Sequence, residues 1–151
     1  MKTTVSSYLL PLFACLFPLL LLSSCELHVS DNGQLDGWWQ LTQVDTLATN
    51  GSAPMKESKL FWAVQGRMLE MQNMEVGGPN VIFRFSLSHD TLRVWDPICD
   101  NRSISDSIVT DLTTLRPYGV LHLADTFRVE ALTSDKMLLR NRAYRLHFRA
   151  Y

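Results

Sequence analysis

The chain has 151 residues, 46% of them apolar, with 14 Lys+Arg against 15 Asp+Glu for a net charge of −1. That balance is not the basic footprint of a nucleic-acid binder. The length suits one domain of ordinary size, which can bury a core without disulfides or metal.

In chain order the first element is a leader. Lys2 precedes a mostly apolar run from Tyr8 to Leu22, and Leu22-Ser23-Ser24-Cys25 closes it. A positive start, a short apolar core and small residues before a cut make a secretory signal. The run is broken by Pro11 and Pro18 and falls short of the roughly 20 apolar residues a spanning helix needs, which disfavours an uncleaved anchor. Its closing residues resemble a bacterial lipobox, in which cleavage falls before a cysteine whose thiol carries a diacylglycerol. Residues 1–24 are then a signal peptide, and Cys25 is the lipidation site at a new N-terminus. Each buried methylene is worth about 0.8 kcal/mol, so two or more acyl chains hold a protein on a membrane without any spanning segment. The expected location is the cell envelope of a Gram-negative bacterium, as an outer-membrane lipoprotein, with the face left open. Residues 25–34 read as the lipidated cysteine and a polar, flexible tether, and residues 35–151 as the folded domain. Cys15 leaves with the leader and Cys25 takes the lipid, so Cys99 stands alone and reads as a small, partly buried residue.

Beyond the tether, alternation of period two dominates. Strands are predicted near Gly37 to Thr46, Lys59 to Gln65 and Met68 to Gln72. The clearest runs from Asn80 to His89, where Val81, Phe83, Phe85 and Leu87 share one face and Arg84, Ser86 and Ser88 the other. After His89-Asp90 comes Thr91 to Trp95, completing a hairpin. Three more strands follow: Thr126 to Leu132 with Phe127, Val129 and Ala131 facing in, Met137 to Arg140, and Tyr144 to Arg149. Asp96 to Asp125 interrupts this pattern. Its Thr110 to Tyr118 stretch suits one or two helical turns with Asp111 as cap, and the whole reads either as a binding lid or as a cover for one barrel end. Eight antiparallel strands with one apolar face each hide their edges most economically in an up-and-down barrel.

Gly37-Trp38-Trp39 after the tether resembles the Gly-x-Trp signature on the first strand of lipocalins. With the lipobox, Lys59 to Gln65, Phe83-Arg84-Phe85 and Leu146-His147-Phe148-Arg149, the chain resembles the bacterial lipocalin-like lipoprotein family over Leu35 to Tyr151. The resemblance implies an all-β, eight-stranded antiparallel lipocalin-like barrel with one longer loop or short-helix insertion. It also implies that Trp39 plugs the closed end, with Arg145 or Arg149 stacked on it as a cation–π partner.

Chemistry is not written into the motifs. There is no Gly-x-Ser-x-Gly elbow, and His28, His89, His122 and His147 have no metal-ligand spacing. No catalytic residue, metal or cofactor is expected. The inward face, for which Trp39, Leu41, Phe61, Phe83, Phe85, Val94, Phe127, Val129, Leu146 and Phe148 are candidates, either fills the barrel or leaves room for one small ligand. Trp62 and Trp95 are candidate rim residues. The candidate ligand-binding set is thus Trp39, Phe61, Trp62, Phe83, Phe85, Trp95, Phe127 and Phe148. The leading expectation is a lipid-anchored envelope protein that binds a small apolar or amphipathic molecule. The alternative is a non-catalytic interaction module with a packed core that holds an envelope protein partner.

Overall fold

A computed structural model describes residues 31–75, 80–101 and 105–151. The expected signal peptide and the expected lipidation site, Cys25, lie outside the described residues. Ten strands form: β1 Gly37–Thr46, β2 Gly51–Pro54, β3 Leu60–Gln65, β4 Met68–Asn73, β5 Asn80–Ser88, β6 Thr91–Asp100, β7 Ser107–Ile108, β8 Asp125–Leu132, β9 Lys136–Arg140 and β10 Tyr144–Ala150. Eight of them close a ring in chain order, β1-β3-β4-β5-β6-β8-β9-β10, and β10 pairs back onto β1 from Trp39↔Ala150 to Thr46↔Tyr144. All the pairings are antiparallel, as an up-and-down barrel requires. The two additions are short spurs: β2 pairs only with β1, and β7 only with β6. Neither was predicted; β2 carries Gly51 and Pro54, with every residue exposed.

Three bulges bend the strands and reset which residues face in. Thr42 is the extra residue of β1 against β10, so Val44 rather than Gln43 packs on the core. On β8 the extra residue is Glu130; it turns Leu132 toward the core in place of the expected Ala131. On β6 Asp96 and Pro97 together face one residue of β5, and Asp96 adopts φ +52. Pro97 has no N–H to give, so it sits where the ladder is already interrupted. The bulge lets β6 continue to Asp100, five residues beyond the predicted end at Trp95.

Of the Asp96 to Asp125 segment, Asp96 to Asp100 belong to β6, and the part from Val109 on packs as a cover onto the core. Two 3-10 turns form at Leu112–Thr114 and Arg116–Tyr118, the first capped by Asp111, whose carboxylate accepts the Thr113 N–H at 2.9 Å. Leu115, Tyr118 and Val120 are buried in the core. The next residue after the turns, Gly119, has φ +81 and lies against Leu146, where a Cβ would come within 2.6 Å of Cδ2. Asn141 locks this cover to the β9–β10 turn. Its amide donates to the Gly119 carbonyl at 2.9 Å, while its Oδ1 accepts the N–H groups of Ala143 and Tyr144. Another 3-10 turn, Gly33–Leu35, leads into β1, with Leu35 fully buried. The last residues of the expected tether therefore fold onto the barrel. Asn32 ties them down by donating to the Gly66 carbonyl at 2.8 Å.

Candidate functional site

At the centre of the barrel Trp62 contacts Phe127 and Phe148, with ring centroids 5.4 and 5.1 Å apart. Trp39, Phe83, Met71 and Met137 surround the same space, all buried to 2% exposure or less. Five of the candidate residues, Trp39, Trp62, Phe83, Phe127 and Phe148, thus meet as mutually packed core. Trp39 donates its indole N–H to the Leu35 carbonyl at 2.8 Å, which fixes the plug at the chain's entry into the barrel. Trp62 is 0% exposed and its Nε1 has no hydrogen-bond partner. A buried donor left so costs about 1–3 kcal/mol.

Three expectations are corrected here. Trp62, expected at the rim, lies in the middle of the core, paired with Trp39 across β1 and β3. Phe61, expected inside, is on the outer face. It is buried there beneath Trp38 and Tyr151, at ring distances of 6.1 and 4.9 Å. The physical cause is a phase ambiguity: Leu60 to Val64 is apolar throughout, and a one-residue slip exchanges the two faces. The third correction concerns the arginines. Arg145 donates Nε to Glu130 at 2.7 Å, and Arg149 donates Nε to Gln40 at 2.8 Å, both on the outside, away from Trp39.

The open space among the candidate residues is on the outer wall. A cleft of about 680 Å³ lies over β4, β5 and β6, lined by Met68, Ile82, Phe83, Phe85, Trp95 and Ile98 with Arg67, Arg84 and Asp96. Met68 and Ile82 also line a second, neighbouring hollow of about 350 Å³ bordered by Asp36, Trp38, Ala63 and Glu70. The first volume falls within the range of small-molecule sites, about 300–1,000 Å³. Three candidates therefore border this cleft: Trp95, and the wall-forming Phe83 and Phe85. Met68, Ile82 and Ile98 were missed: Met68 and Ile82 are apolar in the phase of their strands that should be polar, whereas Ile98 shares the phase of Leu92 and Val94 and is turned outward only by the bulge at Asp96 and Pro97. The bulge at Asp96 lies within this cleft, and the guanidiniums of Arg67 and Arg84 and the carboxylate of Asp96 stand beside its apolar floor.

Elsewhere on the outer face the polar groups are paired. His147 meets Asp45 at 2.7 Å, and hydrogen bonds from His147, Gln43 and Ser52 hold the Asp45 carboxyl down to about 2. Glu130 is shared by Arg145 and Arg140, and the Arg145 hydrogen bond is the main reason its carboxyl is held below the usual range. The C-terminal arginines and His147 thus serve as cross-strand ties. Burial pushes the Tyr118 hydroxyl up to about 12. Cys99 is half-buried against the core. Among the described residues no cluster of three His, Cys, Asp or Glu side chains could hold a metal ion, and no helix is long and apolar enough to cross a membrane.

A closed meander of eight antiparallel strands, plugged at the chain's entry by a tryptophan after a glycine, defines the small lipocalin-type barrels. The chain belongs to the family described as the lipocalin-like domain, whose model matches residues 20–151. Its fold is similar to that of a lipocalin-like protein from Bacteroides uniformis ATCC 8492. That likeness has a TM-score of 0.60 at 22% identity and covers 79% of this chain and 100% of the other. An uncharacterized protein from Bacteroides eggerthii DSM 20697 is similar at TM-score 0.58 and 19% identity, over 77% of this chain and 98% of the other. No curated protein matches the chain.

Proposed function

We propose that this protein is a lipid-anchored, non-catalytic lipocalin-like protein of the cell envelope that binds a small amphipathic molecule on its outer wall. The observation that carries the reading is the cleft over β4–β6, which joins an apolar floor of Met68, Ile82 and Trp95 to the cations Arg67 and Arg84. An apolar body lies on the floor and an acidic head meets the guanidiniums, which recognise carboxylate or phosphate in planar, paired fashion. The anchoring half of the proposal rests on Lys2, the apolar run and Cys25.

Purification of the mature protein under native conditions, solvent extraction and mass spectrometry of the extract test the binding half. A stoichiometric amphiphile supports it. An empty extract, repeated after incubation with envelope lipid extract, contradicts it. In a titration with a fluorescent fatty acid, Arg84→Glu weakens binding by about tenfold, equivalent to about 1.4 kcal/mol.

A second reading is favoured by the mutual packing of Trp39, Trp62, Phe127 and Phe148. A barrel filled this way also suits a non-catalytic interaction module that holds an envelope protein on the same wall. Failure of every amphiphile to bind, with a protein cross-linked through Trp95 in cells, would decide for it.

A further inference from the structure

The cleft sits within a larger apolar wall. Among the described residues seven large apolar side chains are exposed, and four of them, Trp38, Met68, Ile98 and Ile108, are on the wall that β1 and β3 to β7 present to solvent. The strand registers set Trp38, Ala63, Glu70, Ile82, Ile98 and Ile108 in one row across it. Trp95 follows in the neighbouring row, opposite Arg84, which in turn faces Met68. Glu70 is the one charged residue of the first row, Ala63, Ile82 and Trp95 are half-buried, and the exposed Trp38, Met68, Ile98 and Ile108 gathered on this wall mark a surface that something covers.

The chain's entry point says what that is. Asn32 is hydrogen-bonded to Gly66, next to Arg67 and Met68, and Asp36, Gly37 and Trp38 border the smaller hollow. The N-terminal segment therefore arrives at the barrel beside the apolar wall. Cys25 precedes Asp31 by six residues, a reach of about 20 Å at full extension. A domain of this length has a radius of gyration of about 14 Å and hence a diameter of about 35 Å, which exceeds that reach, so the tether is too short to let the far side of the barrel turn to the surface that holds the lipid. Met68, Ile82 and Ile98 together with the amphipathic rings of Trp38 and Trp95 are also the side-chain types that settle at a bilayer's boundary, and Arg67 and Arg84, set among the carboxylates of Asp36, Glu70 and Asp96, border them as headgroup partners.

We infer that the wall of β4–β6 lies against the bilayer in which the Cys25 lipid is embedded, and that the cleft takes its amphiphile laterally from that lipid surface. The inference rests on the anchoring proposed above and adds the orientation of the barrel and the source of the ligand.

The test uses the mature protein, extracted from membranes in detergent and reconstituted into vesicles of phosphatidylethanolamine and phosphatidylglycerol with brominated acyl chains. Bromine quenches only indoles that reach the lipid. Trp39 and Trp62 are 2% and 0% exposed, so quenching reports Trp38 and Trp95. The expected result is co-flotation of protein with vesicles and a loss of emission that disappears in the Trp38→Phe, Trp95→Phe double variant, whose flotation is unchanged. Flotation without quenching overturns the orientation while leaving the anchor intact. So does a dimer cross-linked through Trp95, which would make a second copy the occupant of the wall. Protein that does not float, with an unmodified Cys25 by mass spectrometry, removes the anchor and the inference with it.

Discussion

Trp39 and Trp62 face each other across β1 and β3, yet their indole N–H groups have opposite fates. One donates to Leu35; the other is buried without a partner. Replacement by phenylalanine removes a ring of similar volume from each, so the packing losses are comparable. Trp39→Phe also loses a buried hydrogen bond, whereas Trp62→Phe removes an unsatisfied donor. Trp39→Phe should therefore be more destabilising than Trp62→Phe, by about 1–3 kcal/mol in urea unfolding. Equal losses would mean that Trp62 Nε1 has found a partner, a bound water or ligand atom. Asp45 makes a second residue-level test. Its carboxyl falls from 3.8 to about 2 on folding, because His147, Gln43 and Ser52 bond to the charged form. Its contribution is then full above pH 4 and is lost as the pH falls toward 2. Screening of this partly exposed pair keeps the effect near 1 kcal/mol. Asp45→Asn should lower the melting temperature at pH 6 and converge with wild type near pH 2. Tyr118 has the opposite sign: its hydroxyl, pushed by burial to about 12, stabilises below pH 10 and ceases to do so as the pH climbs toward 12.

At the scale of elements, the cover of the barrel depends on one glycine. Gly119 combines φ +81 with a Leu146 side chain that is itself fully buried and has little room to move. Gly119→Ala should cost about 2 kcal/mol through backbone strain and overpacking, measured by chemical denaturation. An unaltered midpoint would mean that the cover is not pressed onto β10. The sequence made most elements legible, since Phe83 to Ser88 or Tyr144 to Ala150 carry strict alternation and β1 has the predicted bounds of Gly37 and Thr46. The cap at Asp111 was legible too, from its side chain and the residues after it. Bulges were not. Glu130 and Thr42 are ordinary strand residues, and only the partner strand reveals that each is supernumerary. That is why Ala131 and Gln43 lie out of the phase their neighbours suggest. The side of Phe61 and Trp62 was illegible for a related reason: an unbroken apolar run carries no period.

For the whole molecule, closure was foreseeable because a meander of eight strands leaves two edges needing a partner, and β10 pairing with β1 completes it. The site was foreseeable only in part. Aromatic content pointed to the interior, and there Trp62, Phe127 and Phe148 pack on one another. The cleft lies instead on the outer face of β4, β5 and β6, where Met68 and Ile82 break the polar phase, the bulge turns Ile98 outward, and only the assembled sheet brings them side by side. The proposed amphiphile thus has a definite place, on the wall of β4–β6 and outside a packed barrel. Photo-labelling of the mature protein with a diazirine-bearing fatty acid, followed by peptide mapping, tests that place. Labels on Met68, Ile82, Trp95 or Ile98, diminished by Arg84→Glu, are the predicted result. Labels on Trp39, Phe127 or Phe148 would put the ligand inside the barrel and contradict the proposal.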